Sequence, residues 1–129
     1  MKKAAFLLCL ALLPLGAQAA GYIPTTAARL SVMCDAYAGA MQGKPYDMML
    51  AKECEAYLSG FLDSLIVAEA IKGGPLVCSD SPILPGELPL VLRQWMSANM
   101  RRAQDATAAV ALFGALSEKY PCRGRARRN

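Results

Sequence analysis

The sequence contains no histidine among its 129 residues. Histidine is the commonest general base in enzymes, and nucleophilic serine or cysteine side chains are usually activated by it. The carboxylates of Glu53 and Glu55 lie two residues apart, and this spacing directs them to different sides of a helix. No glycine-rich phosphate loop is found either. We therefore expect a protein that is not an enzyme and that needs no cofactor.

The body of the chain also lacks an excess of basic charge. The formal net charge is +4, but residues 20–122 contain eight Lys or Arg side chains against ten Asp or Glu side chains. A nucleic-acid-binding domain would spread basic side chains over one face, so we expect no nucleic-acid partner. The positive excess belongs to the end of the chain, where we expect residues 123–129 to form a basic, disordered tail. The arginines of this tail are Arg123, Arg125, Arg127 and Arg128.

No apolar run is long enough to cross a membrane. The longest runs from Ala4 to Leu15, whereas a membrane-spanning helix needs about 20 apolar residues. Two lysines precede this run, and the small residues of Ala17-Gln18-Ala19 follow it, which is typical of a cleavable signal peptide. We expect residues 1–19 to be removed after Ala19, leaving a periplasmic protein without a transmembrane anchor.

Four cysteines remain after this cleavage, namely Cys34, Cys54, Cys78 and Cys122. An even number of cysteines in a small exported domain indicates disulfides. A zinc site is disfavoured because the chain has neither a histidine nor a C-x-x-C pair, so we expect no bound metal.

Four cysteines allow three pairings. A bridge between Cys54 and Cys78 is disfavoured, because a long predicted helix separates them and a disulfide needs α-carbons within about 7 Å. We favour Cys34–Cys54, since the two residues lie on successive helices joined by a Gly/Pro turn, together with Cys78–Cys122.

Apolar residues recur at spacings of three and four along most of residues 20–122, and no segment alternates with period two. The fold class predicted is all-α, a small bundle of about four to five helices cross-linked by two disulfides. Within 46–72, Gly60 predicts close approach of another backbone, from the first or last helix. The inward face predicted for the last helix carries Ala106, Ala109, Val110, Phe113, Leu116 and Tyr120. The predicted helices span 25–42, 46–72, 87–100 and 102–120.

The order of several short motifs is similar to that of a known family. Cys54-x-x-Tyr57-Leu58-x-Gly60-Phe61-x-Asp63 precedes Cys78, then a helix with Val91-Leu92 and Trp95-Met96, and then Ala115-Leu116-x-x-x-Tyr120-Pro121-Cys122. This pattern resembles the Rap/Tai family of immunity proteins. The resemblance implies a small helical periplasmic protein, commonly dimeric, that inhibits a peptidoglycan amidase effector delivered by a type VI secretion system. It would protect the producing cell from its own effector and from those of sister cells.

The longest irregular segment is 75–87, and it contains Cys78. We hypothesise that part of it binds the toxin; the alternative is that it only connects two helices. Two other functions remain open at this point, a periplasmic chaperone or stress protein and an envelope assembly component. The candidate toxin-binding residues are Ser79, Asp80, Ser81, Ile83 and Leu84.

Overall fold

The structure is a computed structural model, and it describes residues 23–122. The predicted signal peptide, residues 1–19, and the predicted tail, residues 123–129, lie outside the described residues. Within 23–122 the chain is helical and contains no β-strand, which confirms the predicted all-α class. The helices are α1 (Ala27–Met41), α2 (Met48–Lys72), α3 (Leu88–Ala98), α4 (Met100–Gln104) and α5 (Ala108–Lys119), with a 3₁₀ turn at Pro85–Glu87.

Short polar side chains begin three of the helices. Thr26, Asp47 and Thr107 each accept a hydrogen bond from the backbone N–H three residues later, which satisfies one donor that the first helical turn leaves free. At the other end of α2, Gly73 adopts the left-handed conformation with φ +76°, which a residue without a side chain adopts without strain. The caps at Thr26, Asp47 and Gly73 set the boundaries of the long α1–α2 hairpin, and Thr107 sets the start of α5.

The hairpin is held together by the Cys34–Cys54 disulfide, whose S–S distance is 2.07 Å. Both cysteines are buried among the core side chains. This is the pairing that the sequence favoured, and it joins the middle of α1 to the first turns of α2. The other fully buried large side chains are Leu30, Leu58, Leu88, Leu92, Leu112 and Leu116.

The single last helix predicted over 102–120 is wrong, because the chain divides there into α4 and α5. The segment before α1 pairs with the break: the Ala27 N–H donates to the Ala106 carbonyl at 3.0 Å, and the Ala108 N–H donates to the Thr25 carbonyl at 2.7 Å. These bonds satisfy backbone groups that a continuous helix would have paired internally. Thr107 then caps a new helix.

The predicted inward face of the last helix is confirmed only in part: Leu116 is fully buried, and Ala106 and Tyr120 pack against the core, but the other three residues are exposed. Val110 is 62% exposed and Phe113 is 40% exposed, and Ala109 is exposed as well. Beside Leu116, the face that packs on α1 and α3 carries Ala111, Leu112 and Ala115. Because α5 starts anew at Thr107, its orientation is set by the break and not by the register of α4.

Gly60 does not have the close neighbour that its position predicts. A Cβ atom built at Gly60 would meet no heavy atom within 4 Å, so neither the first nor the last helix approaches it. Gly60 lies on the outer side of α2. Farther along, Ile66 and Ile71 are exposed too. The second half of α2 therefore presents apolar side chains to solvent.

Candidate functional site

The candidate site is the segment 73–87 between α2 and α3, and its first part is fixed by the end of α2. The backbone N–H groups of Gly73 and Gly74 both donate to the Glu69 carbonyl at 3.0 Å. This pattern satisfies carbonyl groups at the helix end and turns the chain back along α2. The segment thus leaves the helix in one defined direction.

The side chain of Glu69 makes a second set of contacts with the same segment. Its Oε1 atom accepts hydrogen bonds from the N–H of Leu76 at 2.9 Å and of Val77 at 3.2 Å. Sequence reasoning missed this role of Glu69, which is half-buried in the structure. One signal could have found it: an acidic side chain in the last turn of a helix is unfavourable next to the negative end of the helix dipole.

Cys78 attaches the segment to the end of α5. Its N–H donates to the Tyr120 carbonyl at 3.0 Å, and its sulfur is bonded to Cys122 at 2.02 Å. Both cysteines are exposed, unlike the Cys34–Cys54 pair. The second favoured pairing is therefore present as well, and three successive residues from Leu76 to Cys78 have their N–H groups bonded to the body of the protein.

The far end of the segment is fixed by packing. Ile83 packs against the core, and Leu88, the first residue of α3, is fully buried. Between them the chain forms the 3₁₀ turn, in which the Glu87 N–H donates to the Leu84 carbonyl at 3.1 Å. Both ends of the segment are thus held, and residues 79–82 lie between two fixed points.

The candidate toxin-binding residues divide into two groups. Asp80 and Ser81 are exposed, as is Leu84 with 58% of its surface accessible. Ser79 is half-buried, and its hydroxyl oxygen accepts from the Ser81 N–H at 3.4 Å. Ile83, in contrast, faces the core. The exposed group offers hydrogen-bonding atoms, one negative charge and one apolar side chain, which suit binding to a protein surface.

A second surface feature lies at the opposite end of α2. A half-open cavity of about 120 Å³ is lined by Tyr37, Tyr46 and Met48, beside the ion pair of Lys52 with Glu55. The hydrogen bond and the charge of Glu55 raise the pKa of the exposed Lys52 amine. Seventeen residues separate Lys52 from Glu69, or about 25 Å along the helix, so the cavity is distant from segment 73–87.

The part of the chain that the structure describes offers neither a metal-binding cluster nor a membrane-spanning helix. Over 23–122, no group of three or more Cys, Asp or Glu side chains could hold a metal ion. None of the described helices is long and apolar enough to cross a membrane.

Comparison with known proteins identifies the family. The family model described as Rap1a immunity proteins matches residues 26–122, from the N-cap of α1 to the last cysteine of the second disulfide. No curated protein and no solved structure matches the chain significantly. The family model covers most of the sequence, as the resemblance of its motifs predicted. The chain therefore belongs to the Rap1a family of immunity proteins, which implies a toxin effector as its binding partner.

Proposed function

We propose that the protein inhibits a peptidoglycan amidase effector of a type VI secretion system, and that it does so in the periplasm. Membership of an immunity family supports a toxin as the partner, in preference to the chaperone and envelope-assembly alternatives. The predicted signal peptide supports the compartment. An amidase that cleaves the cell wall acts in that same compartment, so an inhibitor has to be exported to meet it.

The observation that carries the proposal is the fixed segment between α2 and α3. It would enter the substrate cleft of the amidase, where Asp80 and Ser81 form hydrogen bonds and Leu84 fills an apolar pocket. Inhibition would need no chemistry from the immunity protein. Because the Glu69 bonds and the Cys78–Cys122 bridge already hold the segment, little conformational entropy is lost on binding, which favours high affinity.

The test replaces Asp80 and Leu84 together by alanine and measures affinity for the cognate amidase effector. Central interface side chains often contribute 1–2 kcal/mol each or more, so we expect a loss of at least about 30-fold. A matched double variant, Asp105→Ala with Val110→Ala, removes an exposed carboxylate and an exposed apolar side chain elsewhere. Unchanged affinity of a folded Asp80/Leu84 variant would refute this assignment.

We propose further that two copies associate through the outer face of α2. This face is exposed along the helix and carries small residues at its centre, including Ala56, Gly60 and Ser64. Met49 and Ile71 each lie eleven residues from Gly60, on the same side. Two antiparallel helices crossing at Gly60 would place the Met49 end of one against the Ile71 end of the other. Such a contact would explain a glycine that costs about 1 kcal/mol in the helix.

Sedimentation equilibrium tests this arrangement. Val67→Lys puts a charge on the proposed contact, and Val110→Lys puts the same charge on α5 at a position of similar exposure. We expect the first variant to be monomeric and the second to retain the dimer. A dimer that survives Val67→Lys, or a wild-type protein that is monomeric at 100 μM, would contradict the arrangement.

A further inference from the structure

We propose that Glu69 is a positioning residue for toxin binding: its carboxylate fixes the direction in which the segment 79–84 leaves the body of the protein. This inference rests on the proposed function, because it concerns the same binding segment. Glu69 itself lies in the last turn of α2, outside the predicted toxin-binding set, and it would act through the backbone that it holds.

The position of Glu69 conflicts with helix electrostatics. The last turn of a helix carries a partial negative charge, so a carboxylate there is unfavourable and a lysine is favourable. Lys72 follows the favourable pattern, whereas Glu69 does not. A side chain that opposes the local preference needs a compensating contact. The two hydrogen bonds from the Leu76 and Val77 N–H groups supply it.

The contact is directed at a backbone that has few other partners. Val77 is buried, so its N–H would lack an acceptor if the carboxylate were removed. The following residue, Cys78, is held separately by the Tyr120 carbonyl and by the disulfide. Glu69 therefore fixes the two residues before the bridge, while the bridge fixes one point. Because Leu76 and Val77 are held just before the fixed Cys78, the backbone leaves Cys78 in one direction, and this sets the orientation of residues 79–84.

We expect the effect of Glu69 on amidase binding to come from its hydrogen-bond-accepting oxygen and not from its negative charge. Both hydrogen bonds end on one oxygen of Glu69. A glutamine at this position keeps a carbonyl oxygen that can accept two bonds, whereas an alanine keeps none. We expect Glu69→Gln to bind the amidase with an affinity within about twofold of the wild type. For Glu69→Ala we expect a loss of about tenfold, corresponding to two lost hydrogen bonds that order the binding segment.

Two controls separate positioning from a general loss of stability. Asp63→Ala removes an exposed carboxylate from the same helix, so it reports the effect of charge alone. Thr107→Ala removes the cap of α5, a contact that stabilises the fold and does not touch the binding segment. Neither variant should change the affinity for the amidase by more than about twofold.

The experiment measures two quantities for each variant: amide hydrogen exchange of the free protein and affinity for the cognate amidase effector. The proposal expects faster exchange at Leu76 and Val77 in Glu69→Ala, with weaker binding, and restoration of both in Glu69→Gln. Wild-type affinity of the Glu69→Ala variant would overturn the role of Glu69 without touching the proposed function. An equal loss of affinity in Thr107→Ala would do the same. If the wild-type protein does not bind the amidase, the proposed function fails instead, and Glu69 then has no toxin to position.

Discussion

Removal of the Cys78–Cys122 bridge should destabilise the protein by an amount that the loop length sets. The bridge closes a loop with a sequence separation of 44 residues, and both cysteines are exposed, so serine can replace each of them without leaving a core cavity. In the chain-entropy treatment, a loop of this length contributes about 4 kcal/mol at 25 °C. The double variant Cys78→Ser with Cys122→Ser should lose about this much unfolding free energy.

The Cys34–Cys54 bridge closes the shorter of the two loops and lies in the core. Cys34–Cys54 closes a loop with a sequence separation of 20 residues, which corresponds to about 3.3 kcal/mol of chain entropy. Both of its cysteines are buried, however, so their replacement also disrupts core packing, at about 1 kcal/mol or more for each group removed. We therefore expect the Cys34/Cys54 double variant to be at least as unstable as the Cys78/Cys122 variant, although its loop is shorter.

Urea unfolding followed by circular dichroism measures both losses. The midpoint should fall in each variant, and the slope of the free energy against urea should rise, because an unbridged chain exposes more surface when it unfolds. A Cys78/Cys122 variant that loses less than about 1 kcal/mol would refute the reasoning. The same result would show that the bridge does not constrain the unfolded chain.

Three further substitutions test the packing. Gly114→Ala should cost about 1–3 kcal/mol of unfolding free energy, because the new Cβ would lie 3.0 Å from Cζ2 of the buried Trp95. Gly60→Ala should stabilise each protomer by about 1 kcal/mol, since nothing lies within 4 Å, and should weaken the proposed dimer. Leu58→Ala should cost about 2–5 kcal/mol, because Leu58 is fully buried. Chemical denaturation measures all three changes in unfolding free energy. A Gly60→Ala monomer that is less stable than the wild type would contradict the finding that the surface around Gly60 is open.

Local signals in the sequence predicted the hairpin and its bridges well. Asp47 and Gly73 mark the ends of α2 by capping chemistry that depends on neighbouring residues only. Helix length excluded one of the three cysteine pairings, because a long helix keeps Cys54 and Cys78 apart, and the Gly/Pro turn between the first two helices favoured Cys34–Cys54. These inferences need no knowledge of distant contacts.

The parts that sequence reasoning missed depend on contacts between distant segments. The break before α5 is paired with the chain before α1, through the bond from the Ala27 N–H to the Ala106 carbonyl. Periodicity in 102–120 cannot reveal that contact, so the helix was extended through the break and Val110 and Phe113 were placed inward. The role of Glu69 has the same origin, since its partners lie in an irregular segment with no periodic pattern.

The most direct test of the account is inhibition of the amidase in vitro. Purified mature protein is titrated into the cognate amidase effector, and release of cleaved peptides from isolated peptidoglycan is measured. We expect complete inhibition by the wild-type protein at near-stoichiometric amounts, and inhibition by the Asp80→Ala, Leu84→Ala variant only at much higher concentration. Continued hydrolysis in the presence of excess wild-type protein would contradict it.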